Sequence, residues 1–236
     1  MHTPSDDMRS FWNDRAREDP FYFVDTRRGY GASDPERFWE EADELVEFFL
    51  SGLGVGLRDT HTLLEIGCGI GRFTRVLAQR AGQVIALDIS DQMLARAREL
   101  CADLDDVRWV LGDGTSLAPL ADQTVDACVS IVVFQHFPDA EIAFGYVREL
   151  GRVLRPGGWA ALQVSNDPSV HRRRRGFAPA LRALTGRGPR GAGHPAWLGS
   201  HVEIPKLREV AEGAGLDLAK VWGEGSQYCQ VLLRKR

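Results

Sequence analysis

The chain has 236 residues, 44% of them hydrophobic, which suits one α/β domain with appendages better than two independent domains. No stretch approaches the ~20 consecutive apolar residues that cross a bilayer, and the first residues lack the pattern of a signal peptide, so we expect a cytoplasmic protein that contacts no membrane. The formal net charge of −4 provides no overall attraction to nucleic acid, and the four widely separated cysteines fit neither a metal-binding pair nor a disulfide framework.

Residues 1–61 are predicted to form an arm and a helix that pack on or cover the rest of the chain. Aromatic residues at 11–12 and 21–24 lack clear periodicity and predict a short helix followed by an extended arm. From Phe38 to Phe49 apolar residues recur at helical spacing, after a proline of the kind tolerated in a first helical turn. This spacing predicts a helix with one apolar face against the domain.

The next two predicted strands end in residues suited to a nucleoside-bearing ligand. The strand at 62–66 runs into a loop with glycine at alternate positions, Gly67, Gly69 and Gly71. Glycine permits both a positive-φ turn and close approach of a ligand to the backbone. The strand at 83–87 ends at Asp88, whose carboxylate is placed to accept hydrogen bonds from ribose hydroxyls.

A third predicted strand, residues 107–111, ends in a Gly-Asp-Gly sequence. The carboxylate of Asp113 has two interpretations: it receives an adenine amino group, with Gly114 leaving room for the ring, or it forms a turn by itself. If the first holds, three consecutive strand ends offer chemistry for one adenosyl group.

These motifs resemble those of the class I S-adenosylmethionine-dependent methyltransferases. The resemblance rests on residues 65–71, Asp88 and Asp113, and continues through residues 135–139 and 152–158. It implies S-adenosylmethionine as cofactor, with S-adenosylhomocysteine as product. It also implies that Glu65 orients the amino end of the cofactor; the alternative is that Glu65 caps backbone donors of the loop. Ile89, which follows Asp88, either packs on the adenine or makes a core contact at the helix entry. The fourth strand should pass under the methionine part, with the backbone near Ile131 contacting the ammonium.

Apolar runs alternate with helical patterns from residue 62 onward. The predicted strands span residues 62–66, 83–87, 107–111, 125–131, 158–164, 216–222 and 227–233, and the predicted helices 71–81, 90–102, 139–154 and 204–213. Such alternation requires parallel strands joined by right-handed crossovers, whereas the short turn at 223–226 requires antiparallel pairing. We therefore predict an α/β fold: a Rossmann-like doubly wound sheet, mostly parallel, with a C-terminal antiparallel strand.

Residues 62–236 would then form the cofactor-binding domain, with an insertion at about 166–200. This stretch is rich in Gly, Pro and Arg and is too long for an ordinary connection, so we expect a partly helical cap over the active site. Within it, Arg172 and Arg173 either grip a carboxylate or phosphate of an anionic acceptor or belong to a solvated basic face. Aromatic residues are not interleaved with these arginines, so nucleic acid is not the expected partner.

His136 is the histidine that the motifs place at the mouth of the site. As a neutral imidazole it would take a proton from a hydroxyl or amine nucleophile, or it would hold the loop. Tyr22 in the N-terminal segment is a candidate for substrate contact. No cluster of residues has metal-ligand spacing, so we expect no metal.

The predicted function is methyl transfer to an oxygen or nitrogen, less favourably a carbon, of a small metabolite, with natural-product tailoring as one setting. The alternative is an S-adenosylmethionine-binding protein without turnover, whose insertion contacts a partner. A nicotinamide-dependent oxidoreductase is disfavoured by Asp113 and the closing hairpin. The oligomeric state is not predicted.

Overall fold

The computed structural model describes residues 4–27, 29–31, 35–171, 191 and 193–236. Across these residues, seven strands form a single sheet in the order β3-β2-β1-β4-β5-β7-β6. The strands are β1 (Thr62–Ile66), β2 (Gln83–Asp88), β3 (Val107–Leu111), β4 (Val125–Ser130), β5 (Leu154–Val164), β6 (Leu216–Trp222) and β7 (Cys229–Lys235). The order reverses between β1 and β4, and ligands bind at such a switch point in open α/β sheets.

Strand direction follows the prediction. β3, β2, β1, β4 and β5 pair in parallel, and β7 runs antiparallel to both β5 and β6. β5 starts earlier than predicted because Leu154 already pairs with Val125, after which the register shifts so that Ala127 pairs with Trp159. The residues between Leu154 and Trp159 contain a Pro-Gly-Gly sequence at 156–158, and the predicted strand begins only at its last residue.

Helices cover both faces of the sheet. On one face lie α3 (Pro35–Leu53), α4 (Arg72–Ala78) and α5 (Asp91–Leu100), and on the other α6 (Ala140–Val153) and a helix at Ile204–Gly213. The N-cap residues explain two of the starts: Ser90 accepts from the Met93 amide, and Asp139 accepts from the Glu141 amide. The result is the doubly wound α/β architecture predicted above.

The N-terminal segment is more helical than predicted. It forms α1 (Pro4–Glu18) and α2 (Pro20–Val24), so the expectation of an extended arm at residues 21–24 is wrong. Asp19 accepts from the Tyr22 amide at 3.1 Å and Pro20 occupies the first helical position, a start signal that outweighs the missing periodicity.

Part of the predicted insertion is described. It contains the short helix α7 (Pro195–Leu198), whose N-cap is His194, and the helix at Ile204–Gly213 that follows is α8. Residues 172–190 and 192 lie outside the described residues. The assignment of 166–200 as a substrate cap therefore stays a prediction.

Candidate functional site

The glycine loop between β1 and α4 adopts the conformation that its sequence requires. Gly67, Gly69 and Gly71 have φ values of 77°, 54° and 87°, a region that side chains rarely adopt. A β-carbon on Gly67 would also lie 2.3 Å from a methyl carbon of Val133. The amides of Gly67 and Cys68 both donate to the Leu87 carbonyl, at 2.7 and 3.1 Å, which ties the loop to the end of β2.

Asp88 lies at that end of β2 and is 8% exposed. Its Oδ2 accepts from the Gly69 amide and its Oδ1 from the Ser90 amide, both at 2.8 Å. Burial raises the pKa of the carboxyl, opposed by these backbone hydrogen bonds. The structure thus joins the predicted acid to the predicted loop, and further lone pairs of the carboxylate remain for a ligand.

A cavity runs along this loop, which we call the cofactor cavity. Its floor includes Gly67, Gly69, Asp88, Ile89, Gly114 and Ile131, all predicted from the sequence. Its roof is formed by Met8 and Trp12 of α1 and by Phe23 and Val24 of α2. The lining of this cavity fits an adenosyl group. The buried carboxylate of Asp88 can accept from the ribose hydroxyls, Ile89 and Met8 offer apolar surfaces to the base, and the glycine loop leaves room for the rest of the cofactor.

Three residues predicted to bind the cofactor, Glu65, Gly71 and Asp113, do not line this cavity. Glu65 is buried beneath the loop and accepts from the Thr74 hydroxyl at 2.5 Å, and burial raises its pKa to about 7. Asp113 is exposed and accepts from the amides of Thr115 and Ser116, both at 2.7 Å. Of the two interpretations of Asp113, this geometry corresponds to the turn.

His136 lies in the wall that the cofactor cavity shares with a second, larger cavity. Its Nδ1 is 3.2 Å from the Trp197 carbonyl and therefore carries the hydrogen, so that Nε2 accepts from the Gln135 side-chain amide at 3.2 Å. Burial lowers the pKa of the ring to about 4. Both nitrogens are engaged in this geometry, which matches the loop-holding role; a base role requires Gln135 to move.

The second cavity, which we call the acceptor cavity, has a volume of about 1380 Å³. It adjoins the cofactor cavity along Phe23, Arg72, Phe73, Ile131 and Val132 as well as His136. His171 and His194, from the two described ends of the predicted insertion, also line it. The arrangement places a spacious compartment directly beside the cofactor cavity.

The predicted substrate-contact residues are placed differently. Tyr22 lines neither cavity; its ring packs against Phe23 and Tyr30, with centroids 5.1 and 5.4 Å away. Arg172 and Arg173 lie outside the described residues. Substrate contact by these three residues remains a sequence-based hypothesis.

The sequence reasoning missed several residues of the site. Arg72, only 3% exposed at its side chain, bonds Asp25 of the α2 end at 2.7 Å and the Phe38 carbonyl at 3.0 Å. Gln163 and Gln230 line the acceptor cavity, and Gln163 accepts from the amide of Val132, whose φ is 59°. A signal was available: each glutamine interrupts a run of apolar strand residues.

The described residues lack two further features, a membrane-spanning helix and a metal-binding cluster. None of their helices has the length and apolar character needed to cross a membrane. None of their His, Cys, Asp and Glu side chains form a group of three or more that is arranged to hold a metal ion.

Comparison with known proteins gives a consistent picture. Residues 64–162 match a family model described as a methyltransferase domain. The chain is 31% identical over 186 residues to the biotin biosynthesis bifunctional protein BioHC of Teredinibacter turnerae, an alignment covering 75% of this chain and 29% of that protein. It is 42% identical over 109 residues to the malonyl-[acyl-carrier protein] O-methyltransferase of Pectobacterium atrosepticum, covering 46% of this chain and 40% of the relative. The chain thus spans less than half the length of these relatives.

A solved structure extends the likeness to nearly the whole chain. Phosphoethanolamine N-methyltransferase 1 of Haemonchus contortus, in complex with phosphoethanolamine and S-adenosylhomocysteine, superposes with a TM-score of 0.65 over 98% of this chain and 48% of that one. The sequence identity is 16%, so this likeness concerns the fold.

Proposed function

Because this chain belongs to the class I S-adenosylmethionine-dependent methyltransferase family, we propose that it transfers a methyl group from S-adenosylmethionine to an oxygen or nitrogen of a small metabolite. The observation that carries this proposal is the pair of adjoining cavities. One is floored by the glycine loop and Asp88, and the other is large enough for an acceptor. The two share a wall around His136 and Ile131, where the methyl group would pass between them.

The residues of the chain would act mainly by alignment and by excluding water. The sulfonium of the bound cofactor supplies an activated methyl group with a good leaving group. Asp88 would accept from the ribose hydroxyls, the 67–71 loop would hold the methionyl part, and α1 and α2 would cover both. The backbone at Ile131 would face the methionine ammonium.

Chemical grounds favour oxygen or nitrogen over carbon as the atom that receives the methyl group. An oxygen or nitrogen nucleophile needs positioning and loss of one proton, whereas carbon requires an activated carbanion. The names of the relatives are compatible with this choice, since one is an O-methyltransferase and the structural neighbour is an N-methyltransferase. Tailoring of a natural product is one setting in which such a reaction occurs.

A thermal-shift comparison tests the cofactor and a product assay tests the reaction. S-adenosylmethionine and S-adenosylhomocysteine should each raise the melting temperature by mass action, and NAD should not. Release of S-adenosylhomocysteine should then depend on an acceptor in a panel of phenols, amines and carboxylic acids. Cofactor binding with no turnover across the panel would favour the non-catalytic alternative, and preferential stabilisation by NAD would overturn the cofactor assignment.

A further inference from the structure

The wall of the acceptor cavity contains a row of polar and aromatic side chains that strand register places side by side. Gln163 of β5 pairs with Gln230 of β7, and Gln230 pairs with Trp222 of β6. Directly opposed residues of an antiparallel pair point to the same sheet face and lie about 5 Å apart. All three line the acceptor cavity, on the face covered by α3.

Two amide oxygens in this wall have no hydrogen-bond partner among the described residues: Oε1 of Gln230 and Oε1 of Gln135. Both side chains belong to buried residues, exposed by 4% and 6%. The amide nitrogen of Gln135 is already used, because it donates to His136. A buried carbonyl oxygen without a donor is unfavourable. Neither oxygen has accessible surface of its own in this geometry, so a donor brought by a ligand reaches it when the side-chain amide rotates toward the cavity.

The charged side chains of the described wall compensate one another. Arg72 and Arg27 each lie 2.7 Å from Oδ2 of Asp25, and Arg27 also lies 3.1 Å from Glu41. Among the described residues that line the acceptor cavity, the acidic and basic ones, histidine aside, are Asp25, Arg27 and Arg72. The described wall therefore offers little excess charge for recognising an anion.

The mouth of the cavity is aromatic. Phe48, Trp222 and Tyr228 line it and are 56%, 43% and 56% exposed, and the Phe48 and Trp222 rings contact each other with centroids 5.2 Å apart. Large exposed apolar side chains gathered at one opening indicate a binding surface. They suit an acceptor with an apolar body.

We propose that the acceptor is an uncharged, largely apolar molecule whose O–H or N–H groups donate to the amide oxygens of Gln135 and Gln230 while its body lies against Phe48, Trp222 and Tyr228. This inference rests on the proposed methyl transfer and names the class of its acceptor. It differs from the anionic acceptor that the sequence suggested from Arg172 and Arg173.

Three naphthalenes with the same substitution pattern test the inference: dihydroxynaphthalene, dimethoxynaphthalene and naphthalenedicarboxylate. Each is titrated by fluorescence or calorimetry into protein saturated with S-adenosylhomocysteine. The dihydroxy compound should bind about tenfold more tightly than the other two, a difference that one good hydrogen bond supplies. Gln230→Leu should reduce this preference to about threefold, because the hydrogen bond to Gln135 remains. Trp222→Ala should weaken the binding of the dihydroxy and dimethoxy compounds by the same factor.

Gln83→Leu is the matched control, because Gln83 is exposed at the opposite end of the sheet, and it should keep the full preference. Gln230→Leu removes an unpaired buried oxygen, so its melting temperature should equal or exceed that of the wild type, which separates lost recognition from unfolding. Equal binding of the three compounds, no binding of any, or tightest binding of the dicarboxylate would overturn the inference. S-adenosylhomocysteine binding is measured separately, so its failure would count against the proposed function instead.

Discussion

The carboxylate of Asp88 holds the glycine loop through the Gly69 amide and faces the cofactor cavity at the same time. We predict that Asp88→Ala weakens S-adenosylhomocysteine binding by at least about tenfold, because hydrogen bonds to a charged group contribute about 1.5–3 kcal/mol. Calorimetry measures the loss and circular dichroism checks the fold. Asp105→Ala, at an exposed aspartate, is the control and should bind as the wild type does. Unchanged affinity in Asp88→Ala would refute the ribose contact.

The buried carboxyl group of Glu65 should make the free energy of unfolding depend on pH. Burial raises its pKa to about 7, above its value in the unfolded chain, so the folded state binds its proton more tightly. Its favourable effect on folding is complete below the unfolded pKa of about 4.3 and is lost as the pH rises through 7, which amounts to roughly 2.5 kcal/mol between about pH 5 and pH 8.

The variant Glu65→Gln cannot ionise and retains a carbonyl oxygen for the Thr74 hydroxyl. Relative to the wild type it should therefore gain free energy of unfolding on going from pH 5 to pH 8, as measured by denaturant titration at both pH values. A difference between the two proteins that does not change with pH would contradict the raised pKa.

At the residue scale, the sequence is informative where function depends on the local backbone. The glycines at 67, 69 and 71 need positive φ, and Asp88 ends a buried strand, so both are readable from neighbouring residues. Asp113 is ambiguous because a carboxylate after a strand serves a turn equally well; the amides beside it account for the turn, and the adenine contact stays a prediction. Gln230 acquires its role from Gln163 and Trp222, which register brings together across three strands.

At the scale of elements, α1 is a cover whose attachment is specific. Oδ1 of Asn13 accepts from the Ser90 hydroxyl at 2.6 Å, and its amide nitrogen donates to Asp91 at 2.7 Å, at the start of α5. We predict that Asn13→Ala speeds S-adenosylhomocysteine dissociation about fivefold, the effect of losing about 1 kcal/mol of hydrogen bonding. Stopped-flow displacement measures the rate. Arg17→Ala, at an exposed residue of the same helix, should leave it unchanged; equal effects of the two variants would argue against a tether.

The strands and core helices were predictable because each carries its own apolar periodicity and start signal. The two N-terminal helices, α1 and α2, were not predictable in this way. They bury their aromatic residues against α7 and the 134–136 turn, and these residues do not form one regular stripe along each helix. Phe23 packs on Trp197 at 5.5 Å and Trp12 on His136 at 5.3 Å, both across more than a hundred residues of sequence. Such contacts are set by the assembled fold and leave no local pattern.

At the scale of the whole molecule, the shared wall predicts coupling between the two cavities. His136, Arg72 and Ile131 face both, and α2 is fixed to the wall through Asp25 and Arg72, so a ligand that orders one cavity orders part of the other. We predict that S-adenosylhomocysteine tightens binding of dihydroxynaphthalene about fivefold, which corresponds to about 1 kcal/mol of coupling.

Thermodynamic linkage makes this prediction strict, because dihydroxynaphthalene must then tighten S-adenosylhomocysteine by the same factor. Four dissociation constants, each ligand alone and in the presence of the other, close the cycle. Asp25→Asn should reduce the coupling, since it weakens the pairing that joins α2 to Arg72, whereas Asp43→Asn, at an exposed aspartate of α3, should preserve it. Independent binding of the two ligands in the wild type would mean that the shared wall is rigid and that the cavities are neighbours without communication.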